Sequence, residues 1–131
     1  MDEILAIMMS WAVTLTGYPA PQQMPAVTMV PHAFMVEHAC GGQACHVQGW
    51  FPSGRTIYLD QGLDPVNGLY DSSVLLHELV HYLQQEAHSA IHTGCVGNVE
   101  AEREAYGAQR EYLLRYGVYH PVGSSMHNVS C

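Results

Sequence analysis

Apolar positions crowd the twelve residues 4–15, with Asp2 and Glu3 before them and Gly17 after. Acidic side chains suit the positive end of a helix dipole, and a glycine suits the left-handed residue that closes a helix. The pattern therefore predicts an amphipathic helix over 2–16. A run of twelve residues is too short to cross a bilayer, and acids stand where a signal peptide carries positive charge. An exported chain is expected to have lost its signal already. Residues 18–25 hold Pro19, Pro21 and Pro25 and read as a connector.

The period then changes from helical to alternating. Ala26–Val30 and Phe34–Glu37 are β-prone runs split by Pro31, and His46–Phe51 and Thr56–Asp60 flank Pro52-Ser53-Gly54 as the arms of a hairpin. In the second arm Ile57 and Leu59 share one face, while Thr56, Tyr58 and Asp60 share the other. Residues 61–71 read as a loop. Asp71 or Ser72 then caps a helix running to about residue 87. After a loop with Gly94 and Gly97, Asn98 caps a last helix that reaches Tyr116 and closes on Gly117, and an irregular tail follows. The expected fold is α+β: an N-terminal helix, a short antiparallel or mixed sheet, and two further helices.

A chain of 131 residues fits one domain over 1–131. With 48% apolar and only 12% charged residues it can build a core, and disorder is excluded. Twelve acids oppose four cations, all arginine (Arg55, Arg103, Arg110, Arg115), for a net charge of −8. Neither a nucleic acid nor an anionic membrane surface is a suitable partner, because both need a cationic face. Nine histidines are left to explain. Of the four cysteines no pair has C-x-x-C spacing. Cys40 and Cys45 bracket two glycines as a closed loop, and Cys95 and Cys131 then pair by elimination. Two disulfides imply an oxidising, secreted or periplasmic setting, the alternative being four reduced thiols in the cytosol.

His77-Glu78-Leu79-Val80-His81 is an H-E-x-x-H motif. A shuffled chain of this composition would contain about 0.04 such matches. It lies within a helical pattern, so His77 and His81, four residues apart, share one face and can reach one ion. Glu78 is rotated about 100° away and can take a proton from water at that ion. Leu75, Leu76, Leu79 and Leu83 anchor the opposite face in the core. Two histidines do not complete a catalytic zinc site. A metzincin extension needs Gly at position 84 and His at position 87, where the chain has Gln84 and Ala87. His88 and His92 read as polar loop residues, with a weaker second metal site as the alternative. On a helical wheel Glu102 falls within the apolar stripe of Ala105, Tyr106, Gln109, Tyr112, Leu113 and Tyr116. Glu100, Glu104 and Glu111 fall opposite as a solvated acidic face. A lone carboxylate on an apolar stripe needs a cationic partner. Arg103 and Arg110 point elsewhere and Arg55 is a distant alternative, so a metal is the expected partner and Glu102 the third ligand.

This arrangement resembles the gluzincin metallopeptidases, which carry H-E-x-x-H on one helix and a ligand Glu on a later one, often within E-x-x-A. Here that is Glu102-Arg103-Glu104-Ala105. An Asp or Asn commonly follows that Ala, whereas this chain has Tyr106. Arg55–Asp60, Leu75–Gln84 and Glu102–Gln109 together also resemble a short bacterial family of uncharacterised gluzincin-type proteins. The resemblance implies one Zn²⁺ held by His77, His81 and Glu102, with Glu78 as catalytic acid and base, in a zincin-like domain that cleaves peptide bonds. It also implies that an edge strand lies along the cleft and pairs with substrate; the strand at Arg55–Asp60 is the candidate, with an ordinary hairpin arm as the alternative. Tyr106, Tyr82, His92, Tyr119 and His120 are candidate donors to the oxyanion. The expectation is a monomeric zinc endopeptidase acting on a peptide or protein. Its alternatives are a non-catalytic module that zinc staples and whose cleft binds a peptide, and an effector-like protease of narrow specificity.

Overall fold

The first apolar run forms helix α1 (Asp2–Thr16), which closes on Gly17 at φ 79° with its N–H donated to the Val13 carbonyl at 2.9 Å. The computed structural model describes residues 1–88 and 93–131. After the proline-rich connector come strand β1 (Ala26–Val30), helix α2 (His32–His38), strand β2 (Gly49–Trp50) and strand β3 (Thr56–Asp60). They form a mixed sheet of order β1-β3-β2, with β1 parallel to β3 and β2 antiparallel to it. The hairpin pairs Gly49 with Leu59 and Trp50 with Tyr58, a shorter first arm than residues 46–51. Ile57 and Leu59 are buried toward the helices, as their alternation predicts.

Residues 34–37 are helical, not a strand. Two parallel strands cannot be joined by a tight turn, so the chain must cross over between β1 and β3. Pro31 ends β1 in an extended conformation and stands at the start of α2. The helix buries Met35 completely and stacks Phe34 against His38, one turn on, with ring centroids 4.4 Å apart. Phe34 also meets Tyr58 at 5.0 Å, so α2 covers the sheet face turned away from the core. The sheet order corrects a second expectation. β3 is the central strand with both edges paired, and β1 and β2 are the two edge strands among the described residues.

Helix α3 (Leu69–Glu86) begins three residues earlier than Asp71 would allow as cap. Gly68 takes the cap position. Asp71 lies in the first turn, where its carboxylate accepts the Asp64 N–H at 2.8 Å and complements the helix dipole. Helix α4 (Gly94–Arg115) begins a turn before Asn98, with Thr93 at its cap. Cys95 in its first turn is bonded to Cys131, which ties this end of the helix to the tail. The helix closes near Gly117, at φ 78°. The tail contains a short 3₁₀ turn at Ser124–Asn128.

The core lies where α1, α3, α4 and β3 meet, around Met8, Ala12, Ile57, Leu59, Leu75, Leu76, Leu79, Leu83, Ala105 and Leu113. Trp11 closes it edge-on against Tyr112 at 5.5 Å. The fold is a small α+β arrangement in which α3 is buried along nearly its whole length. Both expected disulfides, Cys40–Cys45 and Cys95–Cys131, are present. No helix among the described residues is long and apolar enough to cross a membrane.

Candidate metal centre

α3 is anchored in the core by its leucines, and this turns His77 and His81 toward α4 with rings 4.9 Å apart and Nε2 atoms 3.2 Å apart. Glu102 comes to them from α4. Its Oε1 lies 2.6 Å from His81 Nε2 and its Oε2 lies 3.3 Å from His77 Nε2. One ligand atom from each of the three residues lies within 4.8 Å of the others, so this group can hold a metal ion. At a tetrahedral ion with 2.0–2.1 Å bonds, neighbouring ligand atoms stand about 3.3 Å apart. The His77–His81 Nε2 separation and the His77 Nε2–Glu102 Oε2 separation match that spacing, while the other carboxylate oxygen, Oε1, stands closer to His81. The donor set therefore fits a divalent ion such as Zn²⁺. Glu102 is 39% exposed at the side chain against 9–10% for the histidines, because its side of α4 faces a cleft and not the core.

Electrostatics tie the three residues together. Burial opposes a charge on His81, but the hydrogen bond it donates to Glu102, the charges of Glu78 and Glu102 and the bond to Gln84 outweigh it and raise the imidazole to about 9. Burial likewise opposes the Glu102 carboxylate, and bonds and charges from His77 and His81 hold it well below its usual range. In the metal-free protein a proton thus occupies the position between His81 and Glu102 that a cation would take.

Glu78 is 7% exposed, on the cleft side of α3, and burial pushes its carboxyl above the usual range. β2 passes directly over it. A Cβ at Gly49 would sit 3.0 Å from both Cγ and Oε2 of Glu78. Asp60 N–H donates to Gln48 O at 2.8 Å, so by the alternation of an antiparallel ladder the N–H and C=O of Gly49 point outward, to the free edge.

The cleft has a volume of about 1090 Å³, at the large end of ligand sites. Its lining includes His77, Glu78, His81, Glu102, Tyr106 and residues 46–53 of the β2 region, and among the described residues no lysine or arginine. Of the candidate oxyanion donors, Tyr106 lines it, its ring edge-on to His77 at 4.4 Å. Burial, then the charges of Glu102 and Glu78, push its phenol up, so it stays a donor. Tyr82 is turned away and donates to Gln23 O at 2.8 Å. Tyr119 is 81% exposed and lines a second, smaller cavity with His120. His92, and with it the pairing of His88 and His92, lies outside the described residues.

Each ligand histidine also has a buried glutamine at its other nitrogen. His77 Nδ1 meets Gln109 Oε1 at 3.1 Å, and His81 Nδ1 meets Gln84 Oε1 at 2.8 Å. Neither glutamine was assigned a role from sequence, though Gln109 falls beside Glu102 on the helical wheel and Gln84 is one turn from His81. Glu104 departs from the solvated face assigned to it, accepting the Gln84 amide at 2.9 Å. Glu100 and Glu111 do pair at the surface, with Arg103 and Arg115. Gly49, Tyr70 and His46 also line the cleft and were missed. An isolated glycine in a strand pattern was the only signal for the first of them.

No curated protein and no solved structure shows significant similarity to this chain. A family described as a domain of unknown function, DUF6647, matches residues 1–124. With nearly the whole chain covered, the protein belongs to the DUF6647 family.

Proposed function

We propose that the protein is a gluzincin-type zinc metallopeptidase, an endopeptidase that acts in a secreted or periplasmic setting. The observation that carries this reading is the placement of Glu78: a buried carboxylate outside the ligand triad but beside it, facing an open cleft. A purely structural metal site needs neither a base nor a cleft. Bound Zn²⁺ supplies a Lewis acid that acidifies water to near neutral pH and polarises a carbonyl. The chain's own residues supply the rest. His77, His81 and Glu102 hold the ion. Glu78 accepts the proton of the attacking water and delivers it to the leaving amine. Tyr106 offers its O–H to the developing oxyanion. The outward N–H and C=O of Gly49 pair with an extended substrate, which makes β2 the substrate strand in place of β3. With no lysine or arginine among the described residues of the cleft lining to receive a terminal carboxylate, an internal peptide bond is the fitting substrate. The two disulfides suit the oxidising compartment.

The test is hydrolysis of a peptide library with and without chelator, together with Glu78→Gln. That variant should bind zinc one to one and lose hydrolysis. Undiminished turnover in Glu78→Gln, or cleavage that survives metal removal, overturns the proposal. A wild-type protein that binds zinc and cleaves nothing is the zinc-stapled binding module instead.

A further inference from the structure

We infer that Gln84 and Gln109 are positioning residues for the two histidine ligands, and that only Gln109 can be exchanged for a carboxylate. The inference rests on the metal centre proposed above. Both glutamines are buried, at 0% and 3% exposure, and each accepts from the Nδ1 of one histidine while using its amide nitrogen elsewhere. An Nδ1–H held this way leaves Nε2 as the coordinating atom and fixes the ring's rotation. A carboxylate commonly does this for metal-bound histidines. Here two neutral amides do it, and their remaining partners explain why.

The Gln84 NH₂ group faces only acceptors. It donates to Ala101 O at 3.1 Å and to Glu104 Oε1 at 2.9 Å. Those two atoms fix the orientation of the amide and leave its oxygen for His81. They also flank Glu102 on α4, so one side chain ties His81 on α3 to the turn that carries the third ligand. A carboxylate at this position would keep the bond to His81 and set an anion against a carbonyl and the Glu104 carboxylate. The Gln109 NH₂ group faces the Ser73 hydroxyl at 3.0 Å, and that hydroxyl donates to Tyr70 O at 2.5 Å. A hydroxyl can reverse its role. A carboxylate at 109 could accept from both His77 and Ser73 and would make the imidazole a stronger ligand. No buried side-chain polar atom among the described residues lacks a partner, so the network has no slack to absorb a mismatch.

The experiment measures Zn²⁺ affinity by competition with a chromophoric chelator, alongside the visible spectrum of the Co²⁺ form and the thermal midpoint of each variant. Gln84→Met and Gln109→Met should each weaken zinc binding about 10- to 100-fold. Gln109→Glu should bind at least as tightly as wild type, whereas Gln84→Glu should bind at least 10-fold more weakly. Gln84→Glu/Glu104→Gln, which restores a donor opposite the new carboxylate, should recover much of that loss and return the Co²⁺ spectrum toward wild type. If a methionine variant fails to fold, the glutamate pair and the double variant still decide. Equal effects of glutamate at the two positions, no recovery in the double variant, or unchanged affinity in the folded methionine variants overturns the inference while leaving the metal centre standing. A wild-type protein that binds no Zn²⁺ overturns the metal centre and this inference together.

Discussion

Gly49→Ala probes the contact between β2 and the proposed acid–base residue. The added methyl would lie 3.0 Å from Cγ and Oε2 of Glu78 and 3.1 Å from Cγ1 of Val74. Carbon atoms settle at about 3.5–4.0 Å, so a retreat of about 0.5–1 Å is required. Val74 is buried in the core, and the α3 backbone is held by packing on both sides, so the Glu78 carboxylate is the group that gives. Overpacking of this kind costs about 1–3 kcal/mol. Glu78→Ala removes two of the three crowded atoms. The double variant should therefore be more stable than the sum of the two single losses predicts, by about 1 kcal/mol or more. Denaturant unfolding of metal-free wild type, both single variants and the double variant measures that coupling without reference to a substrate. In the peptidase reading, Gly49→Ala should also lower kcat about 100-fold, since a misplacement near 1 Å has that effect, and should leave zinc affinity unchanged because Glu78 is not a ligand. Additive stabilities together with full turnover would refute the contact.

Other outcomes follow from the same geometry. Glu102→Ala should weaken zinc binding by several orders of magnitude in a chelator competition while Glu100→Ala, which removes a surface carboxylate paired with Arg103, leaves it unchanged; equal effects would remove Glu102 from the ligand set. In the chelator-treated protein, His81 is raised from 6.5 to about 9, so its stabilising contribution is complete below pH 6.5 and is lost as pH rises to 9, on the order of 3 kcal/mol. Glu102 is lowered, so its contribution is complete above about pH 4.5 and is lost as pH falls. The thermal midpoint of the metal-free protein should thus fall between pH 6.5 and 9, and Glu102→Gln should flatten that fall; a midpoint that rises over this range contradicts the pairing. Protons also compete with metal for the histidines, so zinc occupancy should drop below roughly pH 5–6, and full retention at pH 4 would contradict the ligand set. Finally, Cys95–Cys131 spans 36 residues and Cys40–Cys45 only 5. By loop entropy, replacing the first pair with alanine should cost about 4 kcal/mol and the second about 2, and calorimetry showing the reverse order would discount the long strap as a stabilising element.

Local chemistry made much of this molecule legible in advance. α1 and its Gly17 closure, the bounds of β1 and β3, both disulfides and the shared helical face of His77 and His81 all depend on residues close in sequence or on elimination among few partners. Glu102 was reachable for the same reason, since a carboxylate on an apolar helical stripe demands a cation whatever the topology. Contacts between elements were not legible. Phe34–Glu37 has β-prone side chains, but a parallel β1–β3 pair requires a crossover, and that requirement overrode propensity. β3 is central and β2 an edge because the sheet order depends on how β1 returns, which no hairpin signal encodes. Gly49 above Glu78, Tyr106 against His77, and Gln84 bridging His81 to the turn before and after Glu102 join residues that are 29, 29 and 17 positions or more apart. The motif therefore sets His77, Glu78 and His81 on one helix. The packing of α4 and β2 against α3 selects their hydrogen-bond partners, the cleft they face and the strand beside them, because those depend on distances that only the folded chain creates.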